Sequence, residues 1–250
     1  MSEYENQLAV QKTDIQIQAG MDSQIVTAKT FPRNETQCIK DIIGLLSEDQ
    51  DLASACYYTL PARKGQDKGI QGPSVRLAEV FLYLWGNIKA GTRIISNDGR
   101  QVIVEGWAWD LEKNLEISSQ VVKSIVTSRG ETYSPTMQAT TIAAASSVAY
   151  RNAVFKVIPF MFVEKVYKIA QEKSVSMMSN GQKSGDEDQR RYKERVFSSL
   201  EKYQIKPLQI LGYFQRKTLD DITAEDMKEI IGIGTALRDG FILPEEAFVR

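Results

Sequence analysis

The chain has 250 residues, 42% of them hydrophobic and 25% charged, with a formal net charge of −1. That apolar share sustains a packed core and excludes a disordered chain, while the neutral balance means that any footprint for a polyanion has to be local. The sequence contains no histidine, which excludes Ser-His-Asp and Cys-His catalysis, His-ligated zinc and the His-based two-metal nucleases.

Residues 1–32 are polar and weakly patterned, ending at Phe31-Pro32, and are expected to form a flexible arm. Asn34 is placed to cap a helix whose apolar positions are Ile39, Ile42, Ile43, Leu45 and Leu46. A short second helix carries Leu52, Ala55 and Cys56. Cys38 and Cys56 have no metal-site spacing and read as buried free thiols. Leu60-Pro61 opens a loop with Arg63, Lys64, Gly65, Lys68, Gly69 and Gly72, and Pro73 fits the first turn of the next helix. That helix shows Leu77, Phe81 and Leu84 on a wide apolar face and stops at Gly86.

The period then changes from 3.6 to 2. Residues 88–96, 101–110 and 115–127 are expected as three strands, joined at Asn97-Asp98-Gly99 and at Lys113-Asn114 by residues that tolerate positive φ. Ser134-Pro135 starts a long helix rich in alanine and serine that runs to Ile158, where Pro159 interrupts it before a further helix over 160–171. The fold class that follows is α+β: an antiparallel meander of three or more strands covered by a long helix, with a small helical module at the C-terminal end. We place the core at 33–172, a polar linker at 173–188 and the module at 189–250, its last helix capped by Thr223 and ended by Asp239-Gly240.

Several groups carry candidate chemistry. Between residues 60 and 93 six basic residues face two acidic ones, a local excess in a neutral chain. A glycine loop running into a helix start suits an anion, so Arg63, Lys64, Lys68 and Arg76 are candidate phosphate contacts. A mobile surface turn with solvated lysines is the bland alternative. Alternation sets Lys89 and Arg93 on one strand face, opposite Ile88 and Ile94. In the next strand Val102, Val104 and Ala108 share one face, while Ile103, Glu105, Trp107 and Trp109 share the other. Two tryptophans at this spacing can stack unpaired bases, but beside a long helix the expectation is that they sit in the core. Arg151 and Lys156 near the end of the long helix, with Lys123 on the third strand, complete the basic set, and the helix is expected to wall a groove with Lys89 and Arg93. Asp110, Glu112 and Glu116 invite a metal-nuclease reading, against which stands the lack of a Glu-x-Lys triplet. No phosphate-binding loop occurs: Gly181-Gln182-Lys183-Ser184 lacks the upstream glycine and a preceding strand. Without an apolar run of bilayer length or a signal-like start, a cytoplasmic protein is expected.

Two stretches resemble phage single-strand annealing recombinases of the broad RecT/Redβ/Erf-like group, related in fold to the eukaryotic annealing protein of the Rad group. The first runs from Leu60-Pro61-Ala62-Arg63-Lys64-Gly65 through Gly72-Pro73-Ser74-Val75-Arg76-Leu77-Ala78-Glu79 to Gly86-Asn87-Ile88. The second comprises Trp109-Asp110-Leu111-Glu112-Lys113-Asn114 and Arg151-Asn152-Ala153 with Ile158-Pro159. The resemblance implies ATP-independent binding of single-stranded DNA and annealing to duplex, in rings or helical filaments of identical subunits inside a bacterial host cell. It implies no catalysis and no required cofactor, magnesium included. In some relatives a C-terminal helical module binds the host single-strand-binding protein, and a similar module here makes that protein a candidate partner. A nuclease using Asp110, Glu112 and Glu116, and a binding scaffold without annealing activity, are the alternatives from other classes.

Overall fold

A computed structural model describes residues 19–62, 69–127, 129–179 and 186–249. The fold is α+β, with a three-stranded antiparallel sheet packed against one long helix and further helices at the C-terminal end.

Helix α1 covers residues 19–30 and buries Ala28. In α2 (Glu35–Glu48) the Asn34 side chain accepts from the Gln37 amide, and Ile39, Ile42 and Leu46 form the buried stripe. The short α3 (Gln50–Ala55) follows, capped by Asp49. Two strands come next, where the sequence predicts a loop from Leu60 and a helix start at Pro73. β1 (Tyr57–Leu60) pairs antiparallel with β2 (Ile70–Pro73), which places Pro73 at a strand end and makes Ser74 the cap of α4 (Val75–Trp85).

β3 (Ile88–Asn97), β4 (Gln101–Asp110) and β5 (Leu115–Ser124) form the meander in the order β3-β4-β5. The first joint is a tight turn in which the Asp98 carboxylate accepts from the amides of Arg100 and Gln101. The second places Asn114 at φ 48°, a conformation that asparagine tolerates better than most residues. β5 ends three residues earlier than expected, and Val126 instead bridges to Thr132.

Helix α5 (Pro135–Val157) starts at the Ser134 cap and crosses one face of the sheet. Gly106 decides where. A Cβ there would lie 2.1 Å from the Ala149 carbonyl oxygen, so only glycine admits the helix backbone at that crossing. Beneath it Val102, Val104, Ile125, Ala145 and Ala149 form a compact buried cluster. A larger core joins α2, α4 and the end of α5 to α6 (Phe160–Ser174), with Leu46, Leu77, Phe81, Trp85, Val154 and Val166 at its centre. Each such side chain contributes roughly 1.5–3 kcal/mol by leaving water. Pro159 separates α5 from α6, as the sequence predicts.

The stretch expected as linker contains the last turn of α6 and the short α7 (Ser176–Ser179). The C-terminal helices α8 (Asp186–Glu201), α9 (Pro207–Tyr213) and α10 (Ala224–Arg238) share a third core. Tyr57 of β1 belongs to that core, and Tyr57 and Tyr192 both hydrogen-bond to Ser174 at the end of α6. A 3₁₀ turn at Pro244–Glu246 precedes the buried Ala247 and Phe248. Cys56 is buried and Cys38 half-buried, both free thiols, and desolvation pushes the Cys56 thiol up to about 12. No helix among the described residues is long and apolar enough to cross a membrane.

Candidate nucleic-acid interface

The sheet face away from α5 collects aromatic, cationic and amide side chains. Register places Lys89, Gly91 and Arg93 of β3 beside Trp109, Trp107 and Glu105 of β4. On the other side of β4, β5 contributes Glu116, Ser118, Gln120 and Val122. Val122 and Arg93 are exposed, and Trp107, Trp109 and Ile103 are half-buried. The expectation of core tryptophans is therefore corrected. Both indoles lie opposite the covering helix, because strand alternation gives α5 the face of Val102, Val104, Gly106 and Ala108.

Trp107 is laid across β3. A Cβ on Gly91 would stand 3.0 Å from Cζ2 and 3.1 Å from Cε2 and Nε1 of the indole, so any larger residue at 91 would lift the ring. Lys89 and Arg93 flank this position, roughly 13 Å apart by strand rise. Lys89 Nζ donates to Gln24 Oε1 of α1 at 2.6 Å, a neutral partner that leaves its charge in place. Arg93 Nε donates to Glu105 Oε2 at 2.5 Å, and this bond holds the Glu105 carboxyl below its usual range against the desolvation that opposes it. Gln120 Nε2 reaches the other Glu105 oxygen at 3.5 Å. Trp109 Nε1 donates to Asn114 Oδ1 at 3.2 Å, which fixes the second ring. Lys89 and Arg93 are balanced on this face by Glu105 and Glu116, so its chemistry is stacking and hydrogen bonding more than net charge.

The remaining predicted contacts do not join this surface. Arg63, Lys64 and Lys68 lie outside the described residues. Arg76 is exposed at the start of α4 and pairs with Glu79 at 2.7 Å. Lys123 is in register with Val102, which puts it on the α5 face of the edge strand. Lys156 is exposed near the end of α5. Arg151, also on α5, lies against the edge-to-face pair of Tyr58 and Phe241, 4.9 and 5.3 Å from the two ring centroids. The expected groove between α5 and the Lys89–Arg93 row is thus overturned: helix and row occupy opposite faces of one sheet.

The acidic cluster is also reassigned. Arg33 makes a two-pronged contact with Asp110, Nη1 to Oδ2 and Nη2 to Oδ1, each at 2.7 Å, and its Nε and backbone amide donate to Glu112 Oε1 at 2.8 Å. The Arg33 and Asp110 side chains are 4% and 3% exposed, so the pair is closed to solvent. Burial opposes the charged form of Glu112, but donors from Asn87 and Arg33 outweigh it and hold the carboxyl below its usual range. Glu116 is in register with Trp109 and therefore sits on the other face from Asp110. The three carboxylates do not converge, and among the described residues no cluster could hold a metal ion. Arg33 itself was not singled out from sequence, since nothing local marks a partner 77 residues away.

A cleft of about 280 Å³ lies between α3, α8 and α10, floored by Leu200 and Ile231 and edged by Tyr203, Arg195, Lys202 and Arg238. Arg195 is paired with Asp51 at 3.0 Å. Among known proteins, no family model, curated sequence or solved structure matches the chain.

Proposed function

We propose that the protein binds single-stranded DNA and anneals complementary strands without ATP, as a non-catalytic homo-oligomer in phage-type homologous recombination. The observation that carries this reading is the uncovered sheet face, where Trp107 lies flat over Gly91 between Lys89 and Arg93. A half-exposed indole stacks an unpaired base irrespective of sequence, worth roughly 1–3 kcal/mol per base, while flanking cations meet phosphates. Annealing needs no hydrolytic group, which accords with a chain lacking histidine and a phosphate-binding loop. The similarity to annealing recombinases in the Gly72–Glu79 block supports the same reading.

Assembly has structural support as well. β3 and β5 each pair on one side only among the described residues, leaving two ten-residue edges for neighbouring copies. The cleft edged by Arg195, Lys202 and Arg238 offers an apolar floor and Lys202 to a peptide of a host single-strand-binding protein in the bacterial cytoplasm, while Arg195 and Arg238 already hold Asp51 and Asp239. The nuclease reading loses its site, because Arg33 engages two of its three carboxylates and the third faces away.

The test mixes complementary dye-labelled oligonucleotides with protein, without nucleotide, with and without magnesium. Accelerated duplex formation in both conditions is expected. Magnesium-dependent shortening of the strands would favour a nuclease, binding without annealing a scaffold, and no binding at low salt would remove the reading altogether.

A further inference from the structure

Arg151 is an unusual cation. Its Nε and Nη2 both donate to one atom, Asn152 Oδ1, at 3.3 and 3.1 Å, and Nη1 is buried with no hydrogen-bond partner among the described residues. Among the described residues no carboxylate pairs with it. Such a guanidinium normally takes a carboxylate or phosphate on its planar fork. Here two adjacent aromatic rings take that place, Tyr58 of β1 and Phe241, with their centroids 4.9 and 5.3 Å from the guanidinium carbon. Phe241 follows the end of α10 and is only half-buried. It packs edge-on to Tyr58 at 5.0 Å, while neighbouring Gly240 lies against Ala144 of α5. The segment is fixed on either side of the ring, by the Phe241 amide bond to Ala236 and by the buried Phe248. Phe241 is thus a half-exposed ring beside the guanidinium, carried on a segment held at both ends.

We infer that Phe241 is a movable cover over a phosphodiester-binding site at Arg151. The inference rests on the single-strand reading, but the contact is separate from the uncovered sheet face, because Arg151 stands on the helix that packs against the opposite side. An anion entering at Nη1 supplies the acceptor that the closed state lacks, and Tyr58 keeps the guanidinium in place while Phe241 swings away. The closed state holds the site at a fraction of its intrinsic affinity, since the apparent dissociation constant scales inversely with the open population.

The experiment titrates labelled oligodeoxythymidine of thirty nucleotides into the full chain over a range of salt. Phe241→Ala is expected to bind about fivefold more tightly than wild type, with a salt slope steeper by about 0.7. Arg151→Gln in that background abolishes the gain, and Arg151→Gln alone changes affinity by less than about twofold. The gain from Phe241→Ala persists beside Trp107→Ala, as expected for separate contacts. If Phe241→Ala does not fold, Phe241→Leu, which keeps an apolar side chain without a ring face, carries the same test with a smaller gain. Wild type that binds while the Phe241 variants match it in affinity and slope overturns the cover, and so does a gain that survives Arg151→Gln. If no variant binds, the cover fails together with the single-strand reading, and the wild-type titration tells the two failures apart.

Discussion

The two faces of the three-stranded sheet are made by the same strands and alternate residue by residue, yet they meet opposite requirements. On one side Val102, Val104, Gly106 and Ala108 are small or branched and closed against alanines of α5. On the other, Ile103, Glu105, Trp107 and Trp109 are larger and partly polar, and among the described residues Ile103 and the two tryptophans are only half-buried. Gly106 and Trp107 are neighbours in sequence, and the first is constrained by a helix backbone while the second lies over a glycine of the next strand. On the proposed reading, the contrast separates stability from binding along a single strand, one residue at a time.

That separation can be broken at its ends first. Asp110 closes the α5 side, and Arg33→Ala leaves its buried carboxylate with only the amides of Glu112 and Lys113. A loss of about 4 kcal/mol in urea unfolding is expected, since the penalty is that of an unpaired buried charge. A loss below about 1 kcal/mol would place the pair among surface ion pairs. The same site sets an acid limit. Glu112 has a depressed carboxyl in the folded state, so its contribution is present at neutral pH and is lost as pH falls below its ordinary value of about 4.3. Glu112→Gln should flatten the acid limb of a stability-against-pH curve, and an unchanged limb would assign it to other carboxylates.

Next in size is Gly106→Ala. With its Cβ aimed at the Ala149 carbonyl, α5 must shift, at a cost of about 3 kcal/mol seen as a lower unfolding midpoint. Binding per folded molecule should stay close to wild type. Trp107→Ala is the complementary change: roughly 1–3 kcal/mol of single-strand affinity is lost with a smaller change in midpoint. If the two variants lose affinity and stability in equal measure, the faces are not functionally distinct. The smallest effect distinguishes the cations. Among the described residues Lys89 has only a neutral partner whereas Arg93 already holds Glu105, so Lys89→Ala should reduce the single-strand salt slope by about 0.7 and Arg93→Ala by less. Equal slopes would show that Arg93 leaves Glu105 to meet phosphate.

Much of this architecture could be read from residue order alone. The meander shows through period-two alternation and turn residues, and the long helix through its Ser-Pro start and Ile-Pro end, because these are local signals. Which face the helix covers is a matching problem: both faces of β4 carry apolar residues. The clue lies in Gly106 meeting Ala149 and Ala108 sharing a core with Ala153, small against small. The pair β1–β2 gives no periodic signal, because its strands have four residues each and β2 includes glycine and proline. Arg33 and the stacking of Arg151 give none for another reason. Their partners are distant in sequence, and no periodicity reports on a contact across the fold.

The Arg33 clasp has a consequence in time as well as in energy. Its partner Asp110 lies 77 residues further along, and closing a loop of that length costs about 4 kcal/mol of chain entropy before any contact repays it. The β3–β4 hairpin, joined by a short turn, has no such delay. The clasp therefore belongs to the late steps of folding, after the surface it locks has formed. In stopped-flow traces Arg33→Ala should speed unfolding while leaving the refolding rate nearly untouched.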